Sequence, residues 1–250
     1  MRKKKIGIVL AGGGARGFAH LGVLKALEEK GIRADLISAV SAGSIVGAFI
    51  AAGKKPEEIM EIMKENDFFD YAKVTLPING LMSLDNLNKN LEEHLEAEKI
   101  SELKIPLYIA ASNLVTGKIK YFKEGDLSKI VQASSSIPVL FSPVEIEGDL
   151  YVDGGLLDNL PVEPLKDQSD LIIAINIMPI EKTRKLDNLV EIAVRTFQLS
   201  VNRDQEKIKN AVDLFIEPEG LEEYHILDTK HADKLFDLGY KHTRKMDINF

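Results

Sequence analysis

The stretch Ile6-Gly7-Ile8-Val9-Leu10-Ala11-Gly12-Gly13-Gly14-Ala15-Arg16-Gly17 decides the fold. An apolar run ends abruptly in a glycine cluster, and beyond it Phe18, Leu21, Leu24 and Leu27 recur at helical spacing as far as Gly31, a good helix terminator. A buried strand that feeds a glycine turn and then a helix is a βα unit. The preceding Arg2-Lys3-Lys4-Lys5 imitates the start of a signal peptide. The apolar run stops at three glycines without a typical cleavage site, however, so Ile6 to Ala11 reads as the first strand.

The same alternation continues along the chain. Leu36 to Val40 reads as a strand, Ser44 to Ala52 as an apolar helix closed by Gly53, and Pro56 to Glu65 as a charged amphipathic helix. The 18 uncharged residues from Leu36 to Gly53 reach the length of a membrane span, but Ser41-Ala42-Gly43-Ser44 at their centre favours a strand, a sharp turn and a buried helix. Leu84, Leu87, Leu91 and Leu95 mark another amphipathic helix, while Leu107 to Ala111, Ile119 to Phe122 and Leu171 to Ile177 read as strands. Two helices and the strand Leu214 to Ile216 fill the C-terminal part. With no internal repeat, low-complexity tract or linker, residues 1–250 are expected to form one α/β domain. The expected architecture is a three-layer α/β/α sandwich with a mostly parallel central sheet.

Composition narrows the function classes. The 250 residues are 45% hydrophobic and 28% charged, which suits one compact, soluble domain with a large core. Lysine plus arginine is 32 against 39 for aspartate plus glutamate, and the net charge of −7 has the wrong sign for a nucleic-acid partner. The chain has no cysteine, which excludes disulfides, Cys-based zinc sites, thiolate nucleophiles and Cys-ligated iron–sulfur clusters. A metal site would need His, Asp or Glu.

Gly12 to Gly17 formally satisfies G-x-G-x-x-G after a strand and at the start of a helix. A dinucleotide site would also need an acidic residue at the end of the second strand, whereas Asp35 precedes that strand and Ser38 to Ser41 occupy its end. A nucleotide P-loop would need a Gly-Lys-Ser/Thr that is missing. What remains is a set of backbone amides at a helix N-terminus, suited to a bound anion or a transient oxyanion. A tight turn without a ligand stays open as the plain reading.

Ala39-Val40-Ser41-Ala42-Gly43 matches the nucleophile elbow G-x-S-x-G with alanine in the first glycine position. A buried serine in a packing turn is the alternative. The ends of the first two strands lie on one edge of a parallel sheet, which brings Ser41 beside the glycine loop. A serine nucleophile needs a base, and Leu150-Tyr151-Val152 delivers Asp153 into the turn Gly154-Gly155, although an ordinary surface turn would look the same. His225, His231 and His242 would each allow the chain order Ser, Asp, His, but they sit, like His94, in charged sequence typical of solvated histidines. His20, one turn into the first helix, is expected to pack near the loop.

Taken together, Gly12-Gly13-Gly14-Ala15-Arg16-Gly17 with His20-Leu21-Gly22-Val23-Leu24, Ser41-Ala42-Gly43-Ser44, Ser136-Ile137-Pro138, and Tyr151-Val152-Asp153-Gly154-Gly155 with Asn159-Leu160-Pro161 resemble the patatin-like phospholipase family. The compact form is similar to bacterial members related to the neuropathy-target-esterase branch. The resemblance implies a serine acyl hydrolase of lipid carboxylic esters, phospholipid or lysophospholipid, with a Ser-Asp dyad and neither metal nor cofactor. By motif matching, Ser41 would be the nucleophile and Asp153 its base, with Gly12, Gly13, Gly14, Ala15, Arg16 and Gly17 forming the oxyanion site and Gly43, Gly154 and Gly155 supporting the turns. The sequence departs from the pattern at Ala39, and at Val139 and Ser142, where many members carry glycine and proline. Phe68, Phe69, Tyr71, Leu76, Ile78, Leu81 and Met82 are a candidate acyl cap, with ordinary core as the other reading. The resemblance also implies a cytoplasmic protein, peripheral at the membrane, that meets its lipid ester at a membrane surface or micelle. Two rivals stay open: a non-catalytic acyl or anion-binding module, which would keep the glycines without requiring Ser41 and Asp153, and a dinucleotide-binding oxidoreductase.

Overall fold

The structure is a computed structural model that describes residues 4–65, 84–180, 186–201, 205–248 and 250. Strands β1 (Ile6–Leu10), β2 (Leu36–Ala39), β3 (Leu107–Asn113), β4 (Lys118–Phe122), β5 (Val144–Ile146), β6 (Asp149–Asp153), β7 (Leu171–Ile175) and β8 (Leu214–Ile216) form one sheet. Its order is β5-β6-β3-β2-β1-β7-β8, with β4 also paired to β3. The run β3-β2-β1-β7-β8 is parallel, as the βα alternation predicts, while β4, β5 and β6 are antiparallel. Burial explains the difference. β2 and β7 are buried along their whole length, as strands covered on both faces must be, whereas Lys118-Ile119-Lys120-Tyr121-Phe122 of β4 leaves its lysines towards solvent at the sheet edge.

The helices are α1 (Phe18–Glu29), α2 (Ala42–Ala51), α3 (Pro56–Glu65), α4 (Asp85–His94), α5 (Leu127–Ser135), α6 (Leu189–Val201), α7 (Gln205–Lys209) and α8 (Ala232–Lys245). Right-handed crossovers from β1 to β2 to β3 put α1 and α2 on one face, and the β7 to β8 connection puts α6 and α7 on the other, which makes three layers. α1 and α8 meet closely through two glycines. A Cβ on Gly22 would lie 2.0 Å from the Phe236 carbonyl oxygen, and one on Gly239 would lie 2.2 Å from that of Ala19.

The uncharged stretch is divided as its serine and glycine centre predicts, into β2, a turn and the ten-residue α2, which is buried except at Ile50. No described helix is long and apolar enough to cross a membrane. Two elements went unread in the sequence. α5 carries an N-cap, where the Asp126 carboxylate accepts from the Lys129 amide at 2.9 Å, and buried Leu127, Ile130 and Val131 at helical spacing, while the three residues of β5 are too few to show a period. The C-terminal part holds the short α7 in addition to the two expected helices. The candidate cap from Phe68 to Met82 lies outside the described residues.

Candidate active site

Ser41 and Asp153 are brought together by the way β3 shares one of its edges. β2 runs up that edge in parallel as far as Ala39, opposite Ile109, and β6 runs down it antiparallel as far as Asp153, opposite Ala111. β4 occupies the other edge from Ile109 to Asn113, so β2 and β6 meet end to end on the shared edge across Ala110. Each strand then leaves the sheet in a turn that has no room for a side chain. A Cβ on Gly154 would stand 2.3 Å from the Ala110 carbonyl oxygen, and one on Gly43 would stand 2.3 Å from that of Leu10.

Ser41 itself carries the strain of the elbow. Its φ of 52° and ψ of −129° lie where an L-residue is disfavoured by roughly 1–3 kcal/mol, and such angles persist only when surrounding bonds over-determine them. Those bonds are present. The Ser41 amide donates to Ser134 Oγ at 2.9 Å, Ser134 Oγ donates onward to the Ala110 carbonyl at 2.7 Å, and the Ser41 carbonyl accepts from Ser44 Oγ at 2.6 Å. Ser134 sits on α5, so the unread helix holds the elbow in place.

Asp153 is fully buried. Its amide donates to the Ser136 carbonyl at 2.8 Å, and its Oδ1 accepts from the Gly155 amide at 2.8 Å. Burial pushes the carboxyl up to about 7, against the opposing pull of the Ser41 hydroxyl and then of the Gly155 amide. Oδ2 completes no hydrogen bond of good geometry, so serine and carboxyl are close but not closed on each other, a state in which catalytic hydrogen bonds are often found before substrate tightens them. The sign of the effect on stability follows from the raised pKa. Between about pH 4 and 7 the native carboxyl keeps a proton that the unfolded chain has lost, so this group's contribution to stability falls as pH rises through that window. Asp153→Asn is therefore expected to stabilise the fold at pH 8 by on the order of a few kcal/mol and to leave it unchanged near pH 4. Urea midpoints at the two pH values test this, and no gain at pH 8 would contradict the buried, costly carboxylate.

Around the glycine loop, most polar groups are already used. The Gly12 amide donates to Asn159 Oδ1 at 3.2 Å, the Ala15 amide to the Ile226 carbonyl at 2.8 Å, and the Arg16 amide to the Gly13 carbonyl at 3.2 Å. Among the described residues, the amides of Gly13 and Gly14 have no acceptor. Gly14 is in the left-handed region, at φ 56°, with the Ile226 carbonyl oxygen 2.2 Å from where a Cβ would be. Gly12 borders the serine, since a Cβ there would come within 3.0 Å of Ser41 Cβ. The Arg16 guanidinium, 4% exposed, donates to the carbonyls of Tyr224 at 2.8 Å, Pro179 at 3.4 Å and Glu222 at 3.4 Å. It staples the loop to the segments that follow β7 and β8.

The other residues singled out in the sequence fall as follows. His20 packs under the loop as expected, fully buried, with Nε2 2.8 Å from the Ala11 carbonyl and a pKa pushed down to about 4 by burial. His225 accepts from the Leu227 amide at 3.2 Å within its own turn, and burial, then the charge of Arg16, hold its pKa down. His231 pairs with Asp228 at 3.5 Å. Among the described residues, no histidine is a partner of Asp153. Asp35 binds the Ile6 amide at 2.9 Å, at the start of β1 and the far end of the sheet from the glycine loop. Ala39 is fully buried, and its methyl lies 3.2 Å from the position of a Cβ on Gly47, so the glycine in α2 makes room for the extra carbon at the elbow. Val139 takes φ 73° and is 68% exposed, a left-handed conformation that a β-branched residue adopts at a cost and that glycine would adopt freely. Sequence reasoning missed Ser134, whose element went unread, and the role of Asn159, which stood in a quoted motif without an assigned task.

Residues 8–166 match the family described as Patatin-like phospholipase, and the chain belongs to that family. An NTE family protein of Mycobacterium tuberculosis is 31% identical over 176 residues, which cover 69% of this chain and 49% of that one. Lysophospholipase NTE1 of Cryptococcus neoformans is 30% identical over 194 residues, 74% of this chain and 12% of the other. Human patatin-like phospholipase domain-containing protein 6 is 24% identical over 271 residues, covering 95% of this chain and 20% of its own. The chain thus spans about half or less of the length of these relatives. Among solved structures, VipD of Legionella pneumophila superposes with a TM-score of 0.56 at 16% identity, over 96% of this chain and 66% of that one, which supports the α/β fold. The family's description is that of a phospholipase, and one of these relatives is named a lysophospholipase.

Proposed function

We propose that the chain cleaves carboxylic esters of phospholipids or lysophospholipids through Ser41 and Asp153. The observation that carries this reading is a serine held at strained elbow angles beside a buried carboxyl whose pKa is about 7. An ordinary carboxylate is too weak a base near neutral pH, and burial supplies what it lacks. In the proposed reaction, Asp153 takes the Ser41 proton as Oγ adds to the ester carbonyl. The amides of Gly13 and Gly14 hold the resulting oxyanion. The tetrahedral adduct expels the alcohol, which leaves with the proton from Asp153, and an acyl-serine remains. Asp153 then takes a proton from water as that water attacks the acyl-serine; the free acid departs and Ser41 regains its proton.

The family relationship supports a lipid ester, and α6 suggests how such a substrate is met. Phe197 and Val194 of α6 pack inward, with Phe197 Cζ 3.2 Å from where a Cβ on Gly155 would be, beside Asp153. The opposite face carries Leu189, Ile192 and Leu199, at 81%, 45% and 50% exposure. An apolar outer face next to the site suits a substrate presented in a micelle or bilayer. The double variant Leu189→Glu, Ile192→Glu is expected to lower hydrolysis of vesicle-borne lipid about tenfold, roughly 1.4 kcal/mol, while sparing a soluble short-chain ester. Equal rates on vesicles for variant and native protein would remove α6 from lipid contact.

The reaction itself is tested by following fatty acid release from lysophosphatidylcholine and diacyl phospholipid across pH. The expected kcat/KM rises through about pH 7 to a plateau, as Asp153 must be unprotonated to act as base. A folded protein that releases no acid from either lipid at any pH would end the proposal.

A further inference from the structure

The Ala11–Gly12 peptide, where β1 becomes the glycine loop, is bonded on every side. The Ala11 amide donates to the Ile175 carbonyl of β7 at 3.1 Å, and the Ala11 carbonyl accepts from His20 Nε2 at 2.8 Å. Asn159 grips the next residue twice: its Oδ1 accepts from the Gly12 amide at 3.2 Å, and its Nδ2 donates to the Gly12 carbonyl at 3.5 Å. Neither side chain has the surroundings of a packing residue. His20 is fully buried and must carry its proton on Nε2 to serve a carbonyl, which leaves Nδ1 as a buried acceptor without a partner. An apolar side chain would fill that space without this penalty, so the histidine is better explained by the bond it donates than by its bulk. Asn159 is 6% exposed and belongs to the loop that begins at Asp153, with Oδ1 only 2.8 Å from where a Cβ on Gly155 would sit. It therefore joins the loop of the base to the loop of the amides.

We infer that His20 and Asn159 are positioning residues for the oxyanion loop, clamping the Ala11–Gly12 peptide so that the unpaired amides of Gly13 and Gly14 stay at a fixed place relative to Ser41 and Asp153. His20 fixes the loop against α1, and Asn159 sets its distance from the base. The inference rests on the proposed hydrolytic reading, in which those two amides are the oxyanion donors. A displacement of about 1 Å in such donors is enough to cost on the order of a hundredfold in rate.

The test compares His20→Leu, His20→Gln, Asn159→Ala and the native protein on a soluble short-chain ester, with kcat, KM, the rate of labelling by a fluorophosphonate and the melting temperature measured for each. Gln places a donor nitrogen near the position of Nε2, whereas Leu keeps the bulk and loses the donor. The expected result is a kcat about a hundredfold lower for His20→Leu and Asn159→Ala, with labelling slowed in parallel and KM changed by less than about threefold. His20→Gln is expected to recover at least about a tenfold share of the loss. If His20→Leu does not fold, His20→Gln and Asn159→Ala carry the comparison. The clamp is refuted if folded variants keep native kcat and labelling, if activity falls only as far as the folded fraction does, or if Gln performs no better than Leu. Failure of the hydrolytic reading looks different, since native protein itself would then neither turn over the ester nor label at Ser41.

Discussion

Ser41→Ala and Asp153→Asn are each expected to lower ester turnover by about 10⁴-fold or more while leaving the fold intact. Both substitutions are gentle to their surroundings. Alanine keeps the Cβ of Ser41 and its amide bond to Ser134 Oγ, and asparagine at 153 keeps an oxygen to accept from the Gly155 amide. In the proposed reaction, what each removes is one half of a unit: without Oγ there is nothing to acylate, and without the carboxylate nothing receives the proton. Groups that act as a unit are not additive, so the double variant is expected to be little slower than either single one. Circular dichroism and turnover of a short-chain ester are the measurements. A folded single variant with native-like turnover would remove that residue from the reaction.

Gly43→Val is expected to lower the rate by about 10³-fold, through crowding and not through backbone angles. Gly43 has no positive φ, so a side chain is permitted there by conformation. Space is what forbids it. A Cβ would stand 2.3 Å from the Leu10 carbonyl oxygen and 2.7 Å from that of Ala11, both on the backbone that leads into the glycine loop. Valine must push α2 and its elbow away from that loop, separating Ser41 from the amides of Gly13 and Gly14. Ala39→Gly is the matched control. Its methyl faces Gly47 in α2, and its loss opens a small gap without moving the elbow, so the rate is expected to stay within about tenfold. A Gly43→Val protein with full activity would show that the helix start can retreat without cost to the site. A large gain on Ala39→Gly would show that the native elbow is distorted.

The parts of this molecule that were legible in the sequence are those written in local pattern. The change from an apolar run to helical spacing at Gly12 to Gly17 gave β1 and α1, and small residues around Ser41 gave the elbow, because these features depend on near neighbours. Long-range placement was not legible. Nothing in Leu150-Tyr151-Val152-Asp153 says that β6 runs antiparallel along the same edge of β3 that β2 abandons after Ala39, yet that arrangement is what carries Asp153 to Ser41. The pairing of Asp153 with Ser41 was suggested by the ordered motifs and not by any period. Individual roles within the glycine loop were hidden for a similar reason. Whether the Arg16 guanidinium faces a ligand or three carbonyls depends on residues 179, 222 and 224, far away in the chain. The Gly12 amide is likewise occupied by Asn159, from the loop after β6.

The most direct measurement is reaction of the native protein with a fluorophosphonate probe, followed by peptide mass mapping. Such probes react with serines activated as nucleophiles, and in the proposed reaction that serine is Ser41, at the elbow with φ 52° beside the raised carboxyl of Asp153. The expected result is a single modified residue, Ser41, with labelling that quickens as pH rises through about 7 and is lost in Asp153→Asn. Labelling at another serine, or an unlabelled Ser41 in folded protein at pH 8, would contradict the assignment.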